Sequence, residues 1–336
     1  MPTTTGVQHD ILASTLRILR DKEVDNTFRI IPLVDAVNTL GNVEDVDGGS
    51  YIDSPVILTD HSTITQLTNG YEAVSLAVKD PLRTATYSWC DATAPVVITR
   101  KEELSNKGER AIIRIAEARL KQTMGMFKRE IEKQLIAGSS TILTDLQTLN
   151  GIGTATGWFE ELPFGTQGNS VGGISKASFT TSWQNQVQDG SFNANGVKKM
   201  QQLLIDCQQY APEGDIDLIL ASPISYGLYK DQLQQQERYV SMTEVRNMAG
   251  RLALEFNGAS MFIEPNLGFS NGGTACSMYY LNSRLFQIYF DRDAKFALGD
   301  MESISGYAAR SSQIAVRMQI CTSNLSGHGV LVNAET

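Results

Sequence analysis

The chain has 336 residues, 42% of them hydrophobic, and a formal net charge of −9. This is enough apolar material for one large domain or two modest ones, and it excludes wholesale disorder. The acidic balance excludes a general nucleic-acid binder, whose affinity comes from Lys and Arg displacing counterions.

In chain order, Asp10 to Lys22 reads as a short amphipathic helix, with Ile11, Leu12, Leu16 and Leu19 near a 3.6-residue period. An extended acidic stretch follows, carrying Glu44, Asp45, Asp47 and the turn Gly48-Gly49. Then comes a β-rich arm. Residues 55–59 and 63–67 are strand candidates, Asn69-Gly70 is a hairpin turn, and Val74, Leu76 and Val78 alternate after it. These strands have few large apolar residues with which to build a core. A hairpin that cannot bury a face is marginal in water, so its face is expected against another surface.

The most secure element is a helix from Asn106 to about Ala137. Asn106 and Glu109 have capping-box spacing, and Gly138 offers a C′ stop. Ile113, Ala116, Leu120, Met124, Phe127, Ile131 and Leu135 form its one apolar stripe. Residues Asn150 to Phe179 read as a long ordered loop, functional or held by partners. Asn195 to Tyr210 is an amphipathic helix, Ile216 to Leu220 a buried strand, and Pro223 begins a helix running into the polar run Gln232 to Arg238. Leu252 to Phe256 and Ser260 to Glu264 form a hairpin across Asn257-Gly258. Ser277 to Leu281, Leu285 to Phe290 and the long alternating Gln313 to Thr322 are strands. There is no internal repeat and no low-complexity linker.

Cys90, Cys207, Cys276 and Cys321 are widely spaced without C-x-x-C, so reduced thiols are expected. The start, Met1-Pro2-Thr3-Thr4-Thr5, has neither a basic residue nor an apolar run, and no stretch approaches the ~18 apolar residues of a membrane span. Gly-x-Ser-x-Gly occurs at Gly168–Gly172 and Gly268–Gly272, but neither copy lies between a strand and a helix, as a nucleophile elbow requires. Gly151 to Gly157 has the wrong spacing for a dinucleotide loop and is read as a turn. The stretch Asp45 to Gly49 lacks the sixth-position Gly and closing Glu of a calcium loop and reads as a solvated acidic turn. His9, His61 and His328 do not converge on partners. No cofactor, metal or catalytic residue is expected.

Taken in order, several segments resemble the major capsid protein family of tailed bacteriophages, whose shell fold encapsulins share. They are Tyr87-Ser88-Trp89, Ala94 to Ile98, Glu102-Glu103, Asn106-Lys107-Gly108 and the long helix. After these come Gly172-Gly173-Ile174 with Trp183-Gln184-Asn185, Asp217 to Ser222, Tyr226, Tyr229 and Arg238. The resemblance implies an α+β major capsid fold. Its parts would be an N-terminal arm (1–40), an extended β loop (41–98), a peripheral domain (99–195) with a spine helix (107–137), an axial domain (196–311) and a return to the peripheral domain (312–336).

It also implies a non-enzymatic subunit forming hexamers and pentamers of an icosahedral virion shell, made in the host bacterial cytoplasm. The shell would enclose double-stranded DNA without sequence-specific contacts. Further partners would be a portal protein, a separate scaffolding protein and, where present, a decoration or cement protein, with no membrane. An encapsulin-like bacterial nanocompartment is the alternative, and a hydrolase using Ser170 or Ser270 a third reading. Ile57, Ile64, Leu67, Tyr71, Arg238 and Tyr239 are candidate inter-subunit contacts; Gly48, Gly49, Asn150 and Gly151 are candidate hinges. Between Gly41 and Val78 there is no Lys or Arg, so no lysine cross-link is expected from the arm.

Overall fold

The computed structural model describes residues 33–34, 36–37, 41–60, 64, 66, 68, 70–73, 80–105, 109–137, 143–150, 157–192, 194–211, 214–237, 254–267 and 276–332. The expected helix at 10–22, Asn106, Gly151, the serine motif at 268–272, His9 and His61 lie outside them.

The described elements run β1 (Val43–Val46), β2 (Tyr51–Ile57), β3 (Leu82–Ser88), β4 (Cys90–Thr99), α1 (Arg100–Ser105), α2 (Glu109–Ala137), β5 (Ser170–Val171), β6 (Ile174–Ser175) and β7 (Gln186–Asp189). They continue as α3 (Gly196–Tyr210), β8 (Leu218–Ala221), α4 (Pro223–Glu237), β9 (Leu254–Phe256), β10 (Ala259–Ile263), β11 (Cys276–Leu281) and β12 (Phe286–Asp291). The last are β13 (Ala297–Leu298), β14 (Glu302–Ser303), β15 (Ala309–Thr322) and β16 (Gly329–Val332). The class is α+β.

The alternating run near the C-terminus becomes β15, the organising strand of one six-stranded sheet. Its alternation buries Ser312, Ile314, Val316, Met318 and Ile320 on one face. One edge of β15 pairs antiparallel with β4; the other takes β12, β13 and β14 in turn, and β1 adds parallel to β12. The spine helix α2 is about 43 Å long at 1.5 Å per residue. It buries Phe127, Ile131 and Leu135 against the core that this sheet shares and leaves Lys121, Gln122 and Lys133 exposed.

The second sheet runs β7-β16-β11-β8-β10-β9. β8 is buried at all four positions, as its unbroken Leu-Ile-Leu-Ala requires. Helix α3 lies on this sheet through Met200, Leu203, Leu204 and Cys207. The approach is so close that a Cβ on Gly329 would stand 2.7 Å from Cys207 Sγ. β15 and β16 are consecutive, yet they belong to different sheets, so the chain's last segment ties the two together.

Three local expectations are corrected, in whole or in part. A helix-start signal lies at Thr99–Glu102. Glu102 accepts the Thr99 amide (3.0 Å) and hydroxyl (2.8 Å), the reach-back half of a capping box, and opens the unexpected helix α1. Arg119 of α2 clamps the same carboxylate, and this pairing, with the Thr99 bonds, holds Glu102 down at about 2.

The acidic stretch is exposed, as expected, but its first part is strand β1 and its carboxylates have ion-pair partners. Asp47 pairs with Arg292 (2.7 Å) and Asp45 with Lys295 (2.6 Å), clipping β1 and its exit onto the segment after β12. Finally, the loop from 157 onward is held from within. Lys176 is fully buried, donates to the Trp158 carbonyl (2.6 Å) and Asn185 Oδ1 (3.1 Å), and pairs with Glu160 at 3.3 Å. Glu160 in turn accepts the Gly168 (3.1 Å) and Asn169 (2.8 Å) amides. A buried charge is tolerable only when paired and hydrogen-bonded, and here that need gives a glycine-rich loop one shape.

His328 sits where the two sheets meet. Its Nδ1 accepts the Asn282 amide (3.2 Å), so Nε2 carries the hydrogen and faces Thr322 Oγ1 (3.3 Å). Burial between Trp158 and Phe159 pushes its pKa down to about 3. The folded pKa lies below the unfolded value of about 6.5. The unfolded chain therefore binds the extra proton, and this contribution is complete above that value and lost as pH falls. Denaturant titrations should show stability declining by up to about 1.4 kcal/mol per pH unit below about pH 6, and His328→Gln should remove that component of the slope.

Candidate assembly surface

Strands β2 and β3 pair antiparallel from Tyr51↔Ser88 to Ile57↔Leu82, far outside any local turn. The expected strand at 63–67 is not seen: Ile64 and Gln66 are not in a strand, and Thr63, Thr65 and Leu67 lie outside the described residues. Gly70 does take the positive φ of a turn, +78°.

Strand alternation gives the hairpin two unlike faces. Inward, Val56, Ala85 and Tyr87 are buried in the main core, as is Leu58 just past β2. The face expected against another surface, in this chain or in a neighbour, meets the chain's own core at the arm's base. The anchoring is specific. Tyr87 donates its hydroxyl to the Thr322 carbonyl at 3.2 Å, the Thr86 amide donates to the Gly172 carbonyl at 2.9 Å, and Ser182 Oγ donates to the Leu58 carbonyl at 2.7 Å.

Gly172 is the seat. It forms, with Gly173, the two-residue turn between β5 and β6, at φ +57° and +75°. A Cβ there would stand 2.8 Å from Ala85 Cβ and 3.0 Å from the Tyr87 ring. This assigns the first Gly-x-Ser-x-Gly a structural role. Ser170 lies in the short strand before that turn, not on a strand-to-helix elbow, and His328 is occupied by Asn282 and Thr322.

Outward, the hairpin shows apolar side chains without cover. Tyr51 is 60% exposed, and Ile57 (72%) stands directly opposite Leu82 (56%). Beyond them, Ile64 and Tyr71 are almost completely exposed, at 99% and 98%. The hairpin thus joins an anchored inner face to an outer face whose apolar side chains have no cover among the described residues.

Of the other residues singled out from the sequence, Gly48 and Gly49 lie at the arm's root with φ of +66° and +106°, where the Gly49 carbonyl accepts from Arg317 (3.2 Å). Arg317 also stacks over Trp89 at 5.2 Å and pairs with Asp91 at 3.3 Å. Asn150 is buried and bridged to Phe159. Leu67, Gly151, Arg238 and Tyr239 lie outside the described residues. Leu82 was missed in the sequence because its exposure depends on a pairing partner 25 residues away. Among the described residues no cluster of three or more His, Cys, Asp or Glu could hold a metal ion, and no helix is long and apolar enough to cross a membrane.

No protein-family profile matches the chain, and no curated protein matches it in sequence. Solved structures do match it over nearly its whole length. The capsid of cyanophage A-1(L) aligns with a TM-score of 0.66 at 13% identity, covering 94% of this chain and 96% of that one. The SrpI encapsulin of Synechococcus elongatus PCC 7942 gives 0.55 at 12% identity, covering 96% and 95%. The mature capsid of bacteriophage PhiM1 gives 0.53 at 12% identity, covering 93% and 90%.

Two substitutions test the anchoring. Gly172→Ala should lower the subunit's unfolding free energy by about 2–4 kcal/mol, from a left-handed backbone plus overpacking, and protease sensitivity should rise first around 51–58. Lys176→Met should cost about 3–5 kcal/mol in chemical denaturation, because Glu160 is left buried without its cation. At this level of identity the likeness is one of architecture: the chain has the fold shared by tailed-phage capsid proteins and encapsulin shells.

Proposed function

We propose that this chain is the major shell subunit of a tailed-phage head, assembling as hexamers and pentamers into an icosahedral container for double-stranded DNA. The observation that carries the reading is the outward face of the β2–β3 hairpin. Tyr51, Ile57 and Leu82 are exposed on a ribbon whose opposite face is locked into the core, and Ile64 and Tyr71 are exposed in the segment between its strands. A second copy of the chain is the partner that a repeating shell supplies. Obligate interfaces typically bury more than ~2,000 Å², and an arm draped over its neighbour reaches that area more readily than a flat edge does.

The domain division belongs to the same proposal, with α2 as the spine of a peripheral part (99–195, returning at 312–336) and α3 and β8 in an axial part (196–311). Both sheets cross these bounds, since β7 and β16 join the sheet of β8 and β11 while β12, β13 and β14 join β15. The net charge of −9 fits a container that holds DNA by enclosure, since an acidic wall has no attraction for phosphate. An encapsulin-like compartment is the second reading, favoured by the full-length likeness to the SrpI encapsulin. The contents separate the two: phage-length DNA in purified particles supports the head, and a protein cargo supports the compartment.

The assembly claim has its own test. Ile57→Asp combined with Leu82→Asp should leave the subunit folded by circular dichroism but reduce particles in negative-stain micrographs at least tenfold. Particles forming at wild-type yield would refute the role of this face. On denaturing gels, assembled wild-type particles should run as monomer, because the arm between Gly41 and Val78 carries no lysine.

A further inference from the structure

Two glutamates meet where three parts of the chain converge. Glu132 projects from α2 and Glu264 follows β10; both are fully buried. Glu132 uses each oxygen to accept a backbone amide, Leu33 at 2.7 Å and Val34 at 2.9 Å. It thereby holds the helical stretch at 33–37, whose Leu33, Ala36 and Val37 are buried in the main core. Glu264 spends Oε1 on Asn266, accepting its amide at 3.0 Å and its side chain at 2.8 Å. Glu264 Oε2 is buried and receives no donor among the described residues. The side chain it meets is Glu132.

A buried acceptor facing a carboxylate is satisfied only if a proton lies between them. We propose that Glu132 and Glu264 share one proton, carried on Glu264 Oε2 and donated to Glu132, and that it clasps the 33–37 stretch, the spine helix and the end of β10 together until alkaline pH removes it. Beside burial, which raises both carboxyls, the pairing itself raises Glu132 and lowers Glu264, which draws the proton toward Glu132; the oxygen count opposes this and is the ground for placing it on Glu264. Glu132 already accepts two amides and is the natural anion, whereas Glu264 has the free oxygen.

Burial, and for Glu132 the charge of Glu264 next, pushes both carboxyls above the usual carboxylate range. The groups acting on Glu132 are Glu264 and the Leu33 and Val34 amides; those acting on Glu264 are Glu132 and Asn266. Of the charged residues flanking Glu132 on α2, Lys128 lies over the Phe296 ring at 5.8 Å and Lys133 is exposed. Arg129 and Glu130 are half-buried, and Asp35, inside the clasped stretch, lies outside the described residues. Deprotonation would set two anions against each other in a dry space, and the amides of Leu33 and Val34 offer the weakest exit. The clasp does not depend on what the chain encloses.

The sign follows from proton counting. The folded chain keeps a proton that unfolded glutamates release near about 4.3, so this contribution is full below that value and falls as pH rises, until the folded pair ionises. Full-length wild type and Glu264→Gln should be compared by denaturant titration from about pH 5 to about pH 9. The amide of the variant donates to Glu132 permanently. The wild-type folding constant should therefore fall relative to the variant's by about tenfold per pH unit within the window. Parallel curves would overturn the clasp. An independent reading uses wild type alone: infrared spectra with isotope-labelled glutamate should show a protonated carboxyl at neutral pH, and absence of that band would overturn the proposal even if the variant fails to fold.

Discussion

The β2–β3 hairpin sets the terms for the rest of the molecule, because its two faces make opposite demands on the strand pleat. Val56, Ala85 and Tyr87 point inward and must be covered; Tyr51, Ile57 and Leu82 then necessarily point out. A slip of one residue would exchange the two sets, exposing Tyr87 and driving Thr84 and Thr86 toward the core. The register is held by contacts that tolerate no such slip: the Thr86 amide on the Gly172 carbonyl, and the Ala85 and Tyr87 side chains against a glycine with no room for a methyl group. The same bonds that order the base therefore present the apolar outer face in a fixed orientation. A surface that is fixed before it meets its partner loses little entropy on docking.

Elements whose pattern lies within one segment were legible in the sequence. The stripe of α2, the alternation of β15, helix α3 and the β9–β10 hairpin around Asn257-Gly258 all stand where periodicity put them. What was not legible depends on distant partners. Asn69-Gly70 drew the reading toward a local hairpin, whereas β2 finds its partner at Leu82–Ser88. The ion pairs of Asp45 and Asp47 were not legible because Lys295 and Arg292 lie about 250 residues further on. Lys176 gave no sign of burial, since nothing in a glycine-rich loop marks one lysine as paired. Thr99-x-x-Glu102 is different: that helix start was written in the sequence, and the weaker Asn106–Glu109 spacing was read instead.

Buried polar groups, not apolar ones, specify how the pieces join. One hydrophobic cluster joins the first sheet, α2 and one face of the second sheet, the other fills that second sheet's opposite face under α3, and hydrophobic contact alone is non-directional. The directional contacts are His328 with Asn282 and Thr322, Asp217 with the Ser283 amide (2.9 Å), and Glu132 with Glu264 and the Leu33 and Val34 amides. Each would be costly if broken by a shift of an ångström, since an unsatisfied group would remain in the interior. That cost converts two adjoining cores into one defined arrangement. It also concentrates pH sensitivity at the joints: His328 destabilises the fold toward acid and the glutamate pair toward alkali.

This division of labour bears on what a shell subunit requires. A closed container needs many copies in nearly equivalent settings, so the body must be stiff and the variation confined to connections. Stiffness here comes from the polar joints and from β15 running through the sheet. The connections are the arm's root, where Gly48 and Gly49 hold positive φ, and the uncovered outer face of the hairpin. Arg317 links the two regimes. It stacks on Trp89, pairs with Asp91 and reaches the Gly49 carbonyl, so a side chain of β15 reinforces a root that strands already join to the sheet through β1 on β12 and β3 running into β4. Since β3 runs directly into β4, which pairs along β15, and Ala85 and Tyr87 are buried, this tether adds to a strand anchor and holds the root and the base in one orientation.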